Sequence, residues 1–452
     1  MKKTRKTAAW SPSSWHKHKA AQQPQYENAA EVRSCLEVLR NKPPLTTRGE
    51  IDRLLAELAE AASGKRFVLH GGDCAELFSD CRADVLRGKL QVQLQMSMVL
   101  TYATRKSVTR IGRVAGQYAK PRSRAEETID GITMPTYRGD LINGPEPVLE
   151  ARMADPRRMV EGYHHGAASL NYLRALIEGG YADLHHPERW DLGFIMRSKN
   201  KAAYSRIVDA IMDAIRFMDT IGAVDSAERL RRVSFYTSHE ALLLPYEEAL
   251  TRREANGAHY NLGAHYLWLG YRTADIHGAH VEYLRGIANP IGVKVGPGQA
   301  PEQVLDLVRL LDPKAIPGRI TLITRLGAQR VTELLPPLVQ TLQKSGHPVL
   351  WSCDPMHGNT ESLPDGRKTR RLKNIFSELN QCFAIHHEMN SCLGGVHFEQ
   401  TGEAVTECIG GLLKNAGTLD RYQTACDPRL NRAQALEMAF LIARLLRLHR
   451  TP

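Results

Sequence analysis

The sequence predicts an α/β fold: a (β/α)8 barrel (TIM barrel) with an N-terminal extension and a long helical insertion after strand 2. Eight short runs of β-type residues follow one another along the chain, and each closes on glycine or polar residues. Patterns with helical spacing separate several of these runs. Strand, loop and helix in this repeated order are the signature of such a barrel.

The predicted elements can be placed in order along the 452 residues. Residues 1 to about 45 are polar and interrupted by prolines, which indicates an arm that lies across a core. Apolar residues at helical spacing predict a helix at 51–62. The eight predicted strands are 67–70, 109–114, 233–236, 266–269, 291–295, 320–324, 348–352 and 395–399. Pro348 fits as a first strand residue, where a missing amide proton does least harm.

Helical patterns and one long insertion account for the rest of the chain. Helices are predicted at 301–311, 328–343, 373–383 and 433–447. The insertion, at about 120–232, holds a loop at 121–147 and helices near 156–178 and 203–221. We therefore predict an N-terminal extension at 1–60 and a catalytic barrel at 61–452 that carries this insertion.

The net charge of +11 indicates an anionic partner. Nucleic acid, an anionic membrane or a phosphorylated small substrate would each suit that charge. The basic residues are spread over the chain without interleaved aromatic residues, which disfavours a nucleic-acid groove and favours a pocket for phosphate. Nucleic-acid binding therefore ranks last among these interpretations.

The cysteines and the apolar runs indicate a cytoplasmic protein. Eight cysteines form no CxxC pair, which is typical of reduced thiols. Neither a signal-peptide h-region nor a long apolar stretch is present in the sequence, so we expect no membrane association.

Four residues of different ligand types lie at the predicted strand ends or in a loop that could close over them. Cys74 follows the first run, His357 the seventh, Glu399 ends the eighth, and Asp427 lies in a proline-containing loop. The carboxyl ends of barrel strands converge, so these residues should meet. Each of them alone is more ordinarily a buried or ion-paired residue. Together their thiol, imidazole and carboxylate groups predict a site for a divalent first-row metal.

A second group of predicted strand-end residues is cationic. Lys294 lies inside the fifth run between two valines, a costly position unless it faces an anion. Arginine forks suit phosphate and carboxylate oxygens, so two anionic groups could be held here. The members of this group are Arg113, Lys120, Arg122 with Ser123, Arg272, Lys294 and Arg325.

Several long motifs resemble one known family, the type II (plant-type) 3-deoxy-D-arabino-heptulosonate 7-phosphate (DAHP) synthases. They occur in order over nearly the whole chain. The matching segments are 10–15 (WSPSSW), 71–76 (GGDCAE), 113–123 (RVAGQYAKPRS), 137–144 (YRGDLING), 237–240 (TSHE), 354–360 (DPMHGNT), 368–370 (KTR), 405–411 (VTECIGG) and 426–431 (CDPRLN).

The resemblance implies condensation of phosphoenolpyruvate with an aldose phosphate, erythrose 4-phosphate, as the first step of the shikimate pathway. It implies a divalent metal, Mn2+ or Co2+, bound by Cys74, His357, Glu399 and Asp427. The N-terminal arm indicates subunit contacts, and we expect a homo-oligomer. It places phosphoenolpyruvate at Arg113, Arg272, Lys294 and Arg325. It places the sugar phosphate at Arg122 and Ser123 with Lys120. Lys294, Arg113 and His357 are the expected catalytic residues.

The chain departs from the family pattern at two places. Tyr271 stands where the family has a glutamate beside the phosphoenolpyruvate site, and 390–395 (NSCLGG) replaces the usual approach to the eighth strand. A neutral phenol cannot act as a carboxylate base near neutral pH. Two alternatives therefore stay open: a secondary-metabolism variant with a different acceptor, such as an amino sugar, and a catalytically impaired binding partner.

Overall fold

Eight parallel strands form the closed barrel of the protein. The computed structural model describes residues 9–181, 202, 205–210, 213, 234–411 and 419–449. Each barrel strand pairs with the next one along the chain, and the first pairs with the last. The predicted fold is therefore confirmed. The barrel strands are β1 (Arg66–Gly72), β2 (Ser107–Arg113), β3 (Phe235–Glu240), β4 (Tyr266–Leu269), β5 (Ile291–Val295), β6 (Ile320–Thr324), β7 (Val349–Cys353) and β8 (Leu393–Glu399).

Helices surround the barrel, and short hairpins extend its loops. The helices are α1 (Ala29–Arg40), α2 (Arg48–Ala62), α3 (Ala83–Thr104), α4 (Leu149–Arg152), α5 (Arg157–Glu178), α6 (Leu244–Ala249), α7 (Ala279–Leu284), α8 (Pro301–Leu311), α9 (Val331–Ser345), α10 (Leu372–Glu388) and α11 (Arg432–Leu448). The hairpins pair Glu126–Ile129 with Ile132–Pro135, Thr251–Arg253 with His259–Asn261, and Thr360–Ser362 with Lys368–Arg370. None of the helices described combines the length and apolar character needed to cross a bilayer.

Two long helices, α1 and α3, and the three short helices α4, α6 and α7 were not predicted. Helix α1 lies inside the segment that we expected to be an arm. Helix α3 follows β1, and residues 90–98 within it alternate apolar and polar side chains, a spacing typical of a strand. This helix is buried over most of its 22 residues, because it packs against β1, β2 and α11. Its glutamines are therefore inside the protein, and no polar face reveals its helical period.

Some predicted boundaries were wrong. Strand β3 includes the polar residues 237–240, which we expected to form the loop after it. Strand β7 begins at Val349, so Pro348 precedes it. The predicted loop 121–147 contains a hairpin, Glu126–Ile129 with Ile132–Pro135. The helix predicted near 203–221 lies mostly outside the described residues.

Helix α2 closes the amino-terminal mouth of the barrel. A capping box starts it, in which Thr47 N donates to Glu50 Oε2 over 2.8 Å and Glu50 N donates to Thr47 Oγ1 over 3.3 Å. The helix contacts β1, β7 and β8, and a Cβ at Gly394, near the start of β8, would lie 2.5 Å from the Ala61 carbonyl oxygen. Its buried face joins an apolar cluster inside the barrel. This cluster contains Leu54, Leu58, Ala61, Val68, Ile111, Tyr236, Tyr266, Trp268, Ile323 and Leu350. The other end of the barrel is therefore left for the site. A division of the chain at residue 60 stays a prediction.

Shortening Leu58 should destabilise the barrel more than shortening Leu55 on the same helix. Leu58 is fully buried in the cluster, whereas Leu55 is half-buried. Leu58→Ala leaves a cavity, and we expect it to lower the free energy of unfolding by about 2–5 kcal/mol. Urea unfolding followed by circular dichroism measures both variants. An equal loss of unfolding free energy in the two variants would contradict the assignment of α2 as the helix that closes the barrel.

Candidate active site

One cavity lies at the carboxyl ends of the barrel strands and gathers the predicted site residues. Its volume is about 210 Å³. Glu399, at the end of β8, is fully buried beside it and contacts several of its lining residues. The predicted residues that line it are Cys74, Arg113, Lys120, Arg122, Ser123, Arg272, Lys294, Arg325, His357 and Asp427.

A glycine in β1 lets side chains from the two neighbouring strands meet. Gly72 is in register with Arg113 of β2 and with Glu399 of β8. Its φ is +148°, and a Cβ there would lie 2.6 Å from the carbonyl oxygen of Arg113. Across this gap Arg113 Nη2 donates to Glu399 Oε1 over 3.2 Å, and it also donates to the Cys74 carbonyl over 2.9 Å.

Three of the four predicted metal ligands are close enough to hold one ion. The ligand atoms of Cys74, Glu399 and Asp427 all lie within 4.8 Å of one another. The Asp427 amide donates to Cys74 Sγ over 3.3 Å, which fixes the loop of Asp427 against β1. His357 lies beside these three, with its Nε2 3.1 Å from Glu399 Oε1. His357 is therefore placed to provide a fourth ligand.

The ammonium group of Lys120 lies among these donor atoms, which shows that they accept a cation. Lys120 Nζ contacts Cys74 Sγ and Asp427 Oδ2, and it lies 3.5 Å from Glu399 Oε1. Burial alone would lower the pKa of Lys120, but Asp427, Cys74 and Glu399 raise this pKa well above its usual value. The donors thus stabilise one positive charge at their centre, which fits a divalent metal. A bound metal and this ammonium could not share that position, so Lys120 would have to move.

Asp354 orients the imidazole of His357. Its Oδ2 lies 2.7 Å from His357 Nδ1, and its Oδ1 accepts the amides of Met356 (3.0 Å) and His357 (3.2 Å). Nδ1 of His357 therefore faces Asp354, and Nε2 is the ring nitrogen directed at Glu399 and the candidate metal ligands, as in carboxylate–histidine–metal arrangements. Burial would raise the pKa of Asp354, but the charges of His357 and Lys294 hold it well below its usual value.

The cations of the cavity form a buried and an exposed group. Arg113 and Lys294 are 2% and 5% exposed, and the half-buried Arg325 donates to the His357 carbonyl over 3.2 Å. We call these three residues the buried cations. Nearer the surface, Arg272 Nη2 donates to Ser123 Oγ over 2.8 Å. Two anions could therefore be held at different depths.

Lys294 combines burial with one close carboxylate. Burial lowers its pKa to about 8, and Arg113 adds to this effect, although an ion pair with Asp354 opposes it. The ammonium of Lys294 can therefore lose its proton just above neutral pH.

Sequence reasoning assigned no role to three residues of the site. Asp354 and Arg370 lie in the matching motifs, and Arg370 Nη1 is 2.6 Å from Glu399 Oε2 with its whole side chain buried. Glu240 ends β3 and lines the cavity. Burial raises the pKa of Glu240, although the cations Lys120 and Lys294 oppose the rise. Its position at a strand end was the signal that could have identified it.

Tyr271 covers part of the cationic group. Its ring is 37% exposed, its hydroxyl donates to the Pro297 carbonyl, and the guanidinium carbon of Arg325 lies 5.3 Å from the ring centre. This distance is within the range of a cation–π contact. The phenol thus covers the Arg325 guanidinium without placing a negative charge beside it.

Fold and site together define a (β/α)8-barrel protein with a candidate metal centre inside a basic cavity. A model of the class-II DAHP synthetase family matches residues 10–443. The chain belongs to this family. The family predicted from the motifs is confirmed, and so is the prediction of an enzyme of the 3-deoxy-7-phosphoheptulonate synthase type.

Curated relatives cover nearly the whole chain. The phospho-2-dehydro-3-deoxyheptonate aldolase of Neurospora crassa is 48% identical, over 96% of this chain and 94% of that protein. Its counterparts in Streptomyces coelicolor and Mycolicibacterium smegmatis are each 44% identical, over 98% and 95% of this chain and 98% and 93% of those proteins.

A solved structure shares the fold. The phospho-2-dehydro-3-deoxyheptonate aldolase from Francisella tularensis SCHU S4 matches with a TM-score of 0.50 and 15% identity, over 94% of this chain and 99% of that one. At this identity the likeness supports the barrel alone.

Replacing Cys74 should weaken metal binding. Cys74→Ser exchanges the soft sulfur ligand for a hydroxyl, so we expect the affinity for Mn2+ to fall more than about tenfold. Cys35→Ser is the matched control, because Cys35 is a buried cysteine of α1 that does not line the cavity. Equilibrium titration with Mn2+ measures both. An unchanged affinity in Cys74→Ser would contradict this ligand assignment.

Proposed function

We propose that this protein catalyses the metal-dependent, aldol-type condensation of phosphoenolpyruvate with erythrose 4-phosphate. The products would be DAHP and phosphate, and the reaction would open the shikimate pathway. One observation carries the proposal: the candidate metal ligands Cys74, Glu399 and Asp427 border the same cavity as the buried and the exposed cations. Family membership supports the same reaction.

The buried cations suit phosphoenolpyruvate. Its carboxylate and phosphate carry the charges that arginine forks bind in two-point contacts. Arg113 and Lys294 lie at the base of the cavity, and Arg325 follows β6 at its side. Arg113 is held against Trp268, its guanidinium carbon 5.1 Å from the ring centre, so its charge is oriented before the substrate binds.

The exposed group suits the phosphate of the acceptor. Arg122 and Ser123 lie in the loop after β2. Arg272, which the family resemblance placed with phosphoenolpyruvate, is assigned to the acceptor in this proposal because it donates to Ser123 Oγ. Lys120, in the same loop, lies between this group and the candidate metal ligands. An acceptor bound by its phosphate here could extend its aldehyde toward those ligands.

The residues of the site would position the reactants and balance their negative charges. A bound Mn2+ or Co2+ would supply Lewis-acid polarisation of the aldehyde. The buried cations would hold the enol carbon of phosphoenolpyruvate toward that aldehyde. Lys294 Nζ could hold or release a proton near neutral pH, because its pKa is about 8. His357, oriented by Asp354, would present Nε2 to the metal.

The direct test follows the loss of the ultraviolet absorbance of phosphoenolpyruvate together with phosphate release. We expect both to require erythrose 4-phosphate and to proceed in equal amounts. Phosphate release that does not depend on the aldose phosphate would contradict the proposed reaction.

The use of phosphoenolpyruvate should decline as pH rises through about 8. Above this pKa the neutral amine of Lys294 no longer attracts an anion, so kcat/KM for phosphoenolpyruvate should fall on the alkaline side. Lys294→Arg keeps its charge at these pH values and should lose this alkaline limb. Steady-state rates from pH 6 to 10 measure both proteins. The same limb in Lys294→Arg would show that another group causes it.

A different acceptor is the second candidate function, and Tyr271 is the observation that favours it. The phenol stands beside the cationic group where the family has a carboxylate. The ratio of kcat/KM for erythrose 4-phosphate and for its amino-sugar analogue decides between the two. A catalytically impaired binding partner would turn over neither.

Changes at Tyr271 should separate the role of its ring from that of its hydroxyl. Tyr271→Ala removes the ring over Arg325, and we expect the KM for phosphoenolpyruvate to rise about two- to fivefold. Tyr271→Phe keeps the ring and should stay close to wild type. A large gain in activity in Tyr271→Glu would instead support an impaired enzyme, and a loss would support an altered specificity.

We also propose a cytoplasmic location and self-association into a homo-oligomer. All eight cysteines are free thiols, which is typical of a reducing compartment. Size-exclusion chromatography with light scattering tests the oligomer directly.

A further inference from the structure

The N-terminal arm reaches the loop that carries the exposed cations. The side chain of Gln22 forms two hydrogen bonds with the backbone of one residue in this loop, Arg122. Gln22 Oε1 accepts from Arg122 N over 3.0 Å, and Gln22 Nε2 donates to Arg122 O over 3.2 Å. An amide side chain can serve a backbone N–H and a backbone carbonyl at once, and a carboxylate cannot.

The arm is fixed on both sides of Gln22. Upstream, Trp10 Nε1 donates to the Glu282 carbonyl over 2.9 Å, and Trp15 Nε1 donates to Glu248 Oε2 over 2.9 Å. Downstream, Gln23 Nε2 donates to the Leu242 carbonyl over 2.8 Å. Gln22 is therefore held in place independently of the loop that it contacts.

The backbone at Gln22 is in an unusual conformation. Its φ is +60°, a left-handed value that costs free energy in a residue with a side chain. The guanidinium of Arg138 donates to the Gln22 carbonyl and stabilises this turn. Strained conformations persist where the surroundings hold them and occur preferentially at functional sites.

The loop around Arg122 has few other backbone contacts. Residues 114–125 form no helix or strand. Lys120 N donates to the Arg138 carbonyl over 2.9 Å on one side, and Thr136 Oγ1 donates to the Arg124 carbonyl over 3.1 Å on the other. Between these two points the bonds from Gln22 hold the backbone at Arg122, just before Ser123. A shift of this loop would move the Arg122 side chain and Ser123 together.

We propose that Gln22 is a positioning residue that sets the loop of Arg122 and Ser123 and thereby the affinity for the phosphate of the acceptor. This inference rests on the proposed role of the exposed cations in binding that phosphate. Phosphoenolpyruvate is assigned to the buried cations, which Gln22 does not contact. The loss of Gln22 should therefore act on one substrate only.

Steady-state kinetics of the full-length chain test the inference. Gln22→Ala should raise the KM for erythrose 4-phosphate roughly five- to thirtyfold, because two hydrogen bonds are lost. The KM for phosphoenolpyruvate and kcat should stay within about twofold, since the buried cations do not move. Gln22→Glu keeps the size of the side chain but loses the donor, and it should show the same selective rise even if Gln22→Ala folds poorly. Gln343→Ala is the control, because it removes a glutamine amide of α9 that donates to the Met389 carbonyl, away from the arm and the cavity.

Inorganic phosphate provides a readout that does not depend on turnover. Calorimetric titration with phosphate in saturating phosphoenolpyruvate measures the affinity of the exposed anion site. We expect this affinity to fall both in Gln22→Ala and in Arg122→Ala. Equal phosphate affinity in wild type and Gln22→Ala would overturn the inference, as would parallel rises in both KM values or the same acceptor effect in Gln343→Ala. A wild type that binds phosphate in this way without turnover would contradict the proposed function alone.

Discussion

The buried carboxylate of Glu399 is the constraint on which the arrangement of the site depends. It is 0% exposed at the end of β8, and an unpaired charge there would cost several kcal/mol. Cations from three other parts of the chain surround it: Arg113 from β2, Lys120 from the following loop and Arg370 from the Lys368–Arg370 strand. These charges, with His357, hold the pKa of Glu399 well below its usual value although burial opposes them.

The cations that neutralise Glu399 couple the proposed metal site to the proposed substrate sites. Arg113 pairs with Glu399, a proposed metal ligand, and it is also a proposed contact of phosphoenolpyruvate. Lys120 lies among the ligand atoms and belongs to the loop of the exposed cations. Removing one partner of such a buried pair costs about 3–5 kcal/mol, so substitutions here will affect stability as well as chemistry. A divalent metal in place of the Lys120 ammonium would add one positive charge among these donors, and loss of the Cys74 thiol proton on binding would offset it. Lys120 would then be free for the acceptor.

The barrel could be predicted because its strands are buried on both faces. Their apolar runs end abruptly at polar or glycine residues, and strands β4, β5 and β6 were placed at the correct residues. The sequence pattern gave wrong predictions where polar residues are buried. The buried glutamines of α3 imitate a strand. The end of β3 is polar because Thr237, Ser238 and His239 are hydrogen-bonded inside the protein and Glu240 lines the cavity.

Most candidate site residues could be found because parallel strands end at the same edge of a barrel. The residues that support them could not be found in this way. Arg113 and Glu399 meet because Gly72 lies in register between them, and the pairing of Asp354 with both His357 and Lys294 depends on how β5 and β7 are placed around the barrel. Such pairings are set by register and by loop conformation, which one sequence does not display.

The most direct test of the account measures bound Mn2+ and turnover in the same sample. Metal-free protein should not consume phosphoenolpyruvate, and activity should rise in proportion to bound Mn2+ until one ion is held by each chain. Cys74→Ser should shift both curves to higher metal concentration together. Full turnover of phosphoenolpyruvate and erythrose 4-phosphate by metal-free protein would contradict the central claim that Cys74, Glu399 and Asp427 form the metal centre of the reaction.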